Sequence, residues 1–211
     1  SSLAEAVPAP DEIIVVADGD SDCSWRAAET LGARVIKLPV SGGPGKARNH
    51  GARVAAGDVL LFIDSDVVIP PETVGKIAVI FRDDPALAAL FGSYDDAPGA
   101  VNFLSQYKNL LHHYVHQTAR EDASTFWGGC GAIRRKVFLA LDGFDEIYRY
   151  PSIEDIELGY RLRQAGYMIL LCKGLQVKHL KRWGALSLLK SDFLHRALPW
   201  TELPLRHAAE R

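Results

Sequence analysis

Apolar residues along this 211-residue chain fall in short blocks rather than long stripes. Ile13–Ala17 is the first block, and it ends abruptly at Asp18-Gly19-Asp20-Ser21-Asp22. That is the pattern of a buried strand running into a polar loop. A short helix over Ser24–Leu31 and a strand over Arg34–Leu38 follow. Ser41-Gly42-Gly43-Pro44-Gly45 reads as a turn opening a helix through Lys46–Ala56. Val59–Ile63 is a third buried strand, followed at once by Asp64-Ser65-Asp66, and Pro70-Pro71 starts another helix.

Leu87–Phe91 is a fourth strand, and a long, fairly polar helix covers Val101–Arg120. Trp127–Gly131 reads as a flexible loop, Arg134–Leu141 as a short helix, and Ile153–Ala165 as a longer one. Tyr167–Leu171 and Leu175–His179 are apolar strand candidates, and Ala185–Leu198 has the spacing of an amphipathic helix. Strands alternating with helices predict an α/β fold with a mostly parallel central sheet flanked by helices. Ligands of such sheets bind at the carboxyl ends of strands, where both acidic loops, at Asp18 and Asp64, belong.

Composition narrows the function. The chain is 48% hydrophobic and 24% charged, as in an ordinary globular domain. Its net charge of −2 is unsuited to polyanion binding, so no nucleic-acid partner is expected. The charge is uneven: residues 178–211 carry a net +4 and residues 1–177 a net −6. This suggests an acidic site able to hold a metal, and a basic end able to sit near an anionic surface. Three scattered cysteines with no CxxC pair point to a reducing compartment. No signal peptide and no run of about 20 apolar residues is present in the sequence.

Several residues carry candidate chemistry. Asp64 and Asp66 leave a buried strand one residue apart, and such carboxylates suit Mg²⁺ or Mn²⁺ shared with a substrate's phosphates. A capping turn before Pro70 would explain them equally well. Lys46 and Arg48 stand at a glycine-rich helix start, where free N–H groups can receive a diphosphate. Asp18 can accept from a base or ribose, or close an Asx turn. Glu154 and Asp155 fit a helix's first turn electrostatically, and either could serve as general base. His179 ends an apolar strand as metal ligand, phosphate contact or packed core histidine. His112 and His116 lie one turn apart, but no HExxH pattern surrounds them.

Taken in order, these motifs resemble the family 2 glycosyltransferases of GT-A fold. The matching segments are VVADGDSD at 15–22, GPGKARNHG at 43–51, VLLFIDSDVVIPP at 59–71, WGGCGAIRRKVFLALDGFDE at 127–146, IEDIELGYRLRQAGYMI at 153–169 and KHLKRW at 178–183. The resemblance implies a nucleotide-base contact at Asp18 and a nucleotide pocket lined by Lys46 and Arg48. It implies a DxD motif at Asp64-Ser65-Asp66, with Asp66 the stronger metal ligand. Gly128 and Gly129 would lie where donor sugar and acceptor meet. Asp155 would be the catalytic base with Glu154 beside it, and His179 would help hold Mn²⁺ or Mg²⁺. Arg182 and Trp183 resemble the arginine–tryptophan pair of processive members, without the full QxxRW pattern.

The implied reaction is a single displacement with inversion. It transfers a sugar from a nucleotide-diphosphate donor, a UDP-sugar in the first instance, to a hydroxyl on a lipid, polysaccharide or protein. Two departures stand out. Family members open with a strand central to the sheet, yet no candidate precedes Ile13; and Ala17 replaces a frequent acidic residue. The expected organisation is a catalytic domain over 1–183 and a basic amphipathic helix or tail over 184–211, in peripheral contact with the inner, cytoplasmic face of a membrane. Two alternatives stay open at this level: a non-catalytic nucleotide-sugar-binding module, and a haloacid dehalogenase-like phosphatase with Asp64 as nucleophile.

Overall fold

The computed structural model describes residues 2–209. A short 3₁₀ turn at Ser2–Glu5 leads into strand β1 (Ile14–Asp18), helix α1 (Trp25–Thr30), β2 (Arg34–Leu38), α2 (Pro44–Val54) and β3 (Val59–Ile63). Then come β4 (Val67–Val68), α3 (Thr73–Asp83), β5 (Leu87–Tyr94), α4 (Phe103–Thr118), β6 (Cys130–Arg134) and α5 (Arg135–Ala140). The rest comprises α6 (Glu154–Gln164), β7 (Met168–His179), α7 (Ala185–Leu189), a π-helical segment Lys190–Ala197 and α8 (Leu198–Ala209).

β1 and β2 form a two-stranded parallel sheet, and five strands form a second in the order β3-β6-β5-β7-β4. The expected α/β architecture is present, but the larger sheet is mixed rather than mostly parallel. Only β5 and β7 run parallel within it; β6 is antiparallel to both β3 and β5, and β4 to β7. The reason is connectivity. The chain returns from α4 to the carboxyl edge of β3, where the Asp64 N–H donates to the Gly129 carbonyl at 3.3 Å. A strand that begins at that edge has to run away from it. β6 was not expected from the sequence, because Cys-Gly-Ala-Ile-Arg reads as the end of a glycine loop.

Two apolar clusters pack the faces of this sheet. One gathers Phe91, Phe126, Phe138, Phe144 and Leu158; the other gathers Ile69, Ile77, Phe81, Leu90 and Leu175. Every residue of β5 is buried, as a central strand covered on both faces requires. The two strand candidates at 167–179 are one strand, β7, irregular where Gly92 of β5 meets it. A Cβ at Gly92 would lie 2.3 Å from the Leu175 carbonyl oxygen, so no side chain fits there.

Among the described residues no ladder joins β1 to β3. Glu12 ties the two sheets instead, accepting from the N–H groups of Ala56 at 2.6 Å and Gly57 at 3.1 Å. The helix expected over Ala185–Leu198 changes to π geometry at Lys190 and continues beyond Leu198. Leu203 of its last part packs on Tyr148 and Ile153 beside the start of α6. No helix among the described residues is long and apolar enough to cross a membrane.

Candidate active site

The site is built where β3, the Trp127–Gly129 loop and the start of α6 converge. Arg48, on the inward side of α2, is its hub. Its guanidinium meets Asp64 Oδ1 at 2.6 Å and Glu154 Oε1 at 3.0 Å. Burial alone would weaken the arginine's charge, but the fields of Asp64, Glu154 and Asp155 outweigh it and hold the proton on. Glu154 also accepts the Ser152 N–H at 2.9 Å, which fixes the turn that opens α6.

Asp155 stands beside this network. Its Oδ2 accepts the Gly128 N–H at 3.0 Å. Burial, and next the charge of Glu154, push its carboxyl up to about 6, with the Gly128 hydrogen bond and Arg48 pulling the other way. A carboxylate so placed is a stronger base than an exposed aspartate and is still ionised at neutral pH. Gly128 leaves room for the Arg48 guanidinium, which a Cβ would meet at 3.2 Å.

The second cluster lies across the Trp127–Gly129 loop. His179, at the end of β7, places Nε2 3.5 Å from Asp66 Oδ2, while its Nδ1 lies 2.6 Å from Asn109 Oδ1 on α4. The Tyr94 ring stacks flat on His179, with centroids 4.4 Å apart and planes 6° apart. His179 is 5% exposed, whereas the Asp66 side chain is 36% exposed. The hydrogen bond from His179 holds the Asp66 carboxyl below its ordinary value, against the opposing effect of burial. One imidazole and one half-open carboxylate, backed by a buried amide, suit Mn²⁺ or Mg²⁺ that takes its remaining ligands from a diphosphate and water. Among the described residues no group of three His, Cys, Asp or Glu side chains could hold a metal unaided.

The expected site residues divide accordingly. Arg48, Asp64, Gly128, Gly129, Glu154 and Asp155 come together, and Asp66 meets His179. Asp64 accepts the Arg48 guanidinium on Oδ1, so the two carboxylates of the DxD motif face different partners. Asp18 accepts from the N–H groups of Gly42 and Gly43 at 2.9 Å each and from the Ser41 hydroxyl at 2.9 Å. It thereby shapes the loop that precedes α2. The charge of Lys46 is among those that lower the Glu146 carboxyl, after the hydrogen bond from Asn49 and the effect of Arg53. Ser65 and Arg182 are exposed, and Trp183 is buried, its backbone N–H donating to Ser105 Oγ at 2.7 Å.

Four contributors were not apparent from the sequence. Asn109 and Tyr94 frame His179, Ser152 meets the His195 carbonyl, and the charge of Arg196 acts on Asp155, Tyr94 and His112. His112 and His116 are packed among Tyr94, Phe91 and Trp127, and burial lowers the pKa of both. A polar recess of about 590 Å³ lies behind α2, lined by Asn49, Arg53, Glu146 and Arg161, and none of the expected site residues borders it.

Comparison with known proteins bears on the family and the fold. The family model described as "Glycosyl transferase family 2" matches residues 1–141. The O-antigen chain rhamnosyltransferase RfbN of Salmonella typhimurium is 26% identical over 92% of this chain and 66% of its own length. The poly(ribitol-phosphate) β-N-acetylglucosaminyltransferase TarS of Staphylococcus aureus is 40% identical over 35% of this chain and 13% of its own. Among solved structures, the mannosyltransferase PcManGT from Pyrobaculum calidifontis, in complex with GDP-Man and Mn²⁺, superposes with a TM-score of 0.69 at 18% identity, over 92% of this chain and 55% of that one. TarS residues 1–349 with UDP-GlcNAc superpose at 0.63 and 25% identity, over 87% and 54%. The chain thus spans roughly half to two thirds of the length of RfbN and these structures. The family match over two thirds of the chain and the GT-A fold together show that this chain belongs to glycosyl transferase family 2.

Proposed function

We propose that this chain transfers a sugar from a nucleoside-diphosphate sugar to an acceptor hydroxyl, with inversion at the anomeric carbon and Asp155 as general base. One observation carries the reading. A carboxylate raised to about 6 is anchored by the Gly128 N–H on the same loop whose Gly129 carbonyl holds Asp64 at the head of the DxD motif. Base and donor motif thus share one short loop, as a single displacement needs.

Asp66 and His179 are the residues that would hold Mn²⁺ or Mg²⁺. When bound, the ion neutralises charge on the departing diphosphate. The protein's own residues do the rest. Arg48 keeps Asp64 and Glu154 in register, and Glu154 orients the first turn of α6. Asp155 Oδ1 or Oδ2 takes the acceptor proton as the hydroxyl attacks C1 from the face opposite the nucleotide. The loop of Gly42 and Gly43, braced by Asp18 at the end of β1, forms the nucleotide end of the pocket, with Lys46 and Arg48 on the helix that follows. A UDP-sugar is the first donor to try. The Mn²⁺ and GDP-Man of PcManGT and the UDP-GlcNAc of TarS support a metal and a nucleotide sugar of this class. Contact between the basic C-terminal segment and the inner face of a membrane completes the proposal.

The test is an assay of transfer from radiolabelled nucleotide sugars to a panel of lipid, glycan and peptide hydroxyl acceptors, with product anomers read by NMR. An inverted product, absent with Asp155→Asn, is expected. A retained anomer, or undiminished turnover by Asp155→Asn, would overturn the reading.

A further inference from the structure

Helix α4 is amphipathic in the wrong sense for a helix lying on a soluble domain. Its inward side is polar: Ser105 and Asn109 are buried, and His112 and His116 continue the same stripe against Tyr94 and Trp127. Its outward side is apolar: Phe103, Tyr107, Leu110, Leu111, Tyr114 and Val115 all face solvent, with Phe103 79% and Tyr114 64% exposed. At 1.5 Å per residue this stripe runs about 18 Å from Phe103 to Val115, most of the helix. Helices that cover a core show the opposite arrangement. Monomeric proteins rarely leave so long a contiguous apolar surface unpartnered.

The chain after Trp183 adjoins this stripe. Trp183 is held by Asn102 and Ser105 at the start of α4, and Asp192 receives Lys108 at 2.6 Å. Lys108 lies three and seven residues before Leu111 and Val115, so this tether sits at the edge of the apolar stripe. The tethered segment adds its own exposed apolar residues, Leu186 at 84%, Leu189 at 66% and Phe193 at 56%. Lys181, Arg182 and Lys190 are exposed around them. Among the described side chains of 178–203 the charges are five cations against Asp192 and Glu202; Lys178 pairs with Asp95 and Asp192 with Lys108, and the exposed cations are Lys181, Arg182 and Lys190.

We infer that α4 and the segment 185–200 together form one docking surface for the headgroup–acyl boundary of an anionic bilayer. An apolar stripe with tyrosines along it and cations at its border matches both layers of that boundary. A second copy of this chain fits less well, because a two-fold contact through this face would bring the same cations together. The inference deepens the proposed membrane contact of the basic segment and moves its apolar part to α4, a helix to which the sequence gave no role. It is independent of the role given to Asp155.

Flotation of the full chain with vesicles tests this, using phosphatidylcholine alone and phosphatidylcholine mixed with phosphatidylglycerol, at low and high salt. The variants are Phe103→Gln with Tyr107→Gln and Tyr114→Gln, and Lys190→Glu. Circular dichroism and nucleotide-binding titrations on each report folding and the donor site. The expected result is binding to the anionic vesicles that both variants weaken by more than about tenfold, with fold and nucleotide binding unchanged. The apolar loss should persist at low salt, where the charge contribution is strongest. Retained binding by the α4 variant overturns the inference and leaves contact through the basic segment alone. Absence of vesicle binding by the wild-type chain overturns both. Dimerisation that the α4 variant abolishes while vesicle binding persists assigns the face to self-association instead.

Discussion

Replacing Asp155 with asparagine should make the protein more stable while removing its activity. The reasoning is electrostatic. Burial and the charge of Glu154 raise the Asp155 carboxyl from 3.8 to about 6 on folding. The folded state therefore binds the proton more tightly than the unfolded chain between these values. Stability falls as pH rises through that window and stays reduced above it. At 1.36 kcal/mol per pH unit, the ionised carboxylate costs of order 3 kcal/mol above pH 7. The cost is about half as large near pH 5 and only a small fraction of it by pH 4. Asparagine is neutral throughout, is nearly isosteric, and its carbonyl oxygen can still accept the Gly128 N–H. Chemical unfolding of wild type and Asp155→Asn across pH 5 to 8, without metal or nucleotide, should show a gain for the variant that grows with pH. By pH 8 the midpoint of thermal unfolding should rise by roughly 6–12 °C in a domain of this size. A variant no more stable than wild type at pH 8, or a gain equal at every pH, would refute the assignment of a destabilised, buried carboxylate.

Other consequences are separable. In the ligand-free enzyme kcat/KM for transfer should fall as pH drops through about 6, because Asp155 then carries its proton; a pH–rate profile flat to pH 5 would contradict this. Arg48→Met leaves Asp64 and Glu154 without their shared cation and should cost about 3–5 kcal/mol in urea unfolding, with Arg48→Lys recovering only part of it. Asn109→Leu removes the partner of His179 Nδ1 and should weaken Mn²⁺ binding about 10- to 100-fold by calorimetry, while metal-free nucleotide binding is retained. Arg196→Ala removes a cation that favours ionised Asp155 and should move the acidic limb of the rate profile to higher pH.

Much of this molecule is legible in the sequence because local pattern and tertiary role coincide. Val59–Ile63 is apolar throughout and ends at Asp64, so the strand and its acidic end are both readable. The same holds for Ile14–Asp18 and for the glycine turn before α2. β6 is different. Its residues carry little strand preference of their own and become a strand by pairing with β3 on one side and β5 on the other. The mixed sheet follows from that long-range placement, which no short window contains. The support of His179 was hidden for a similar reason, since Asn109 lies 70 residues away. A local signal for it did exist: Ser105, Asn109, His112 and His116 recur at helical spacing, which marks a polar stripe. What the pattern lacked was the side on which the core lies, and in α4 the core lies on the polar side. The division of labour within Asp64-Ser65-Asp66 likewise depends on Arg48 and His179 arriving from distant elements.

The central claim is a metal-dependent nucleotide-sugar site at Asp66 and His179. The most direct measurement is a thermal-shift titration of the chain with UDP, GDP and dTDP, each in Mn²⁺ and in EDTA. A ligand at about 100 times its Kd stabilises the fold by about 2.7 kcal/mol, a readable shift for this size. The expected result is stabilisation by one nucleotide in Mn²⁺, lost in EDTA and lost in Asp66→Ala. Stabilisation that survives both EDTA and Asp66→Ala, or none in a folded sample with any of the three, would contradict the account.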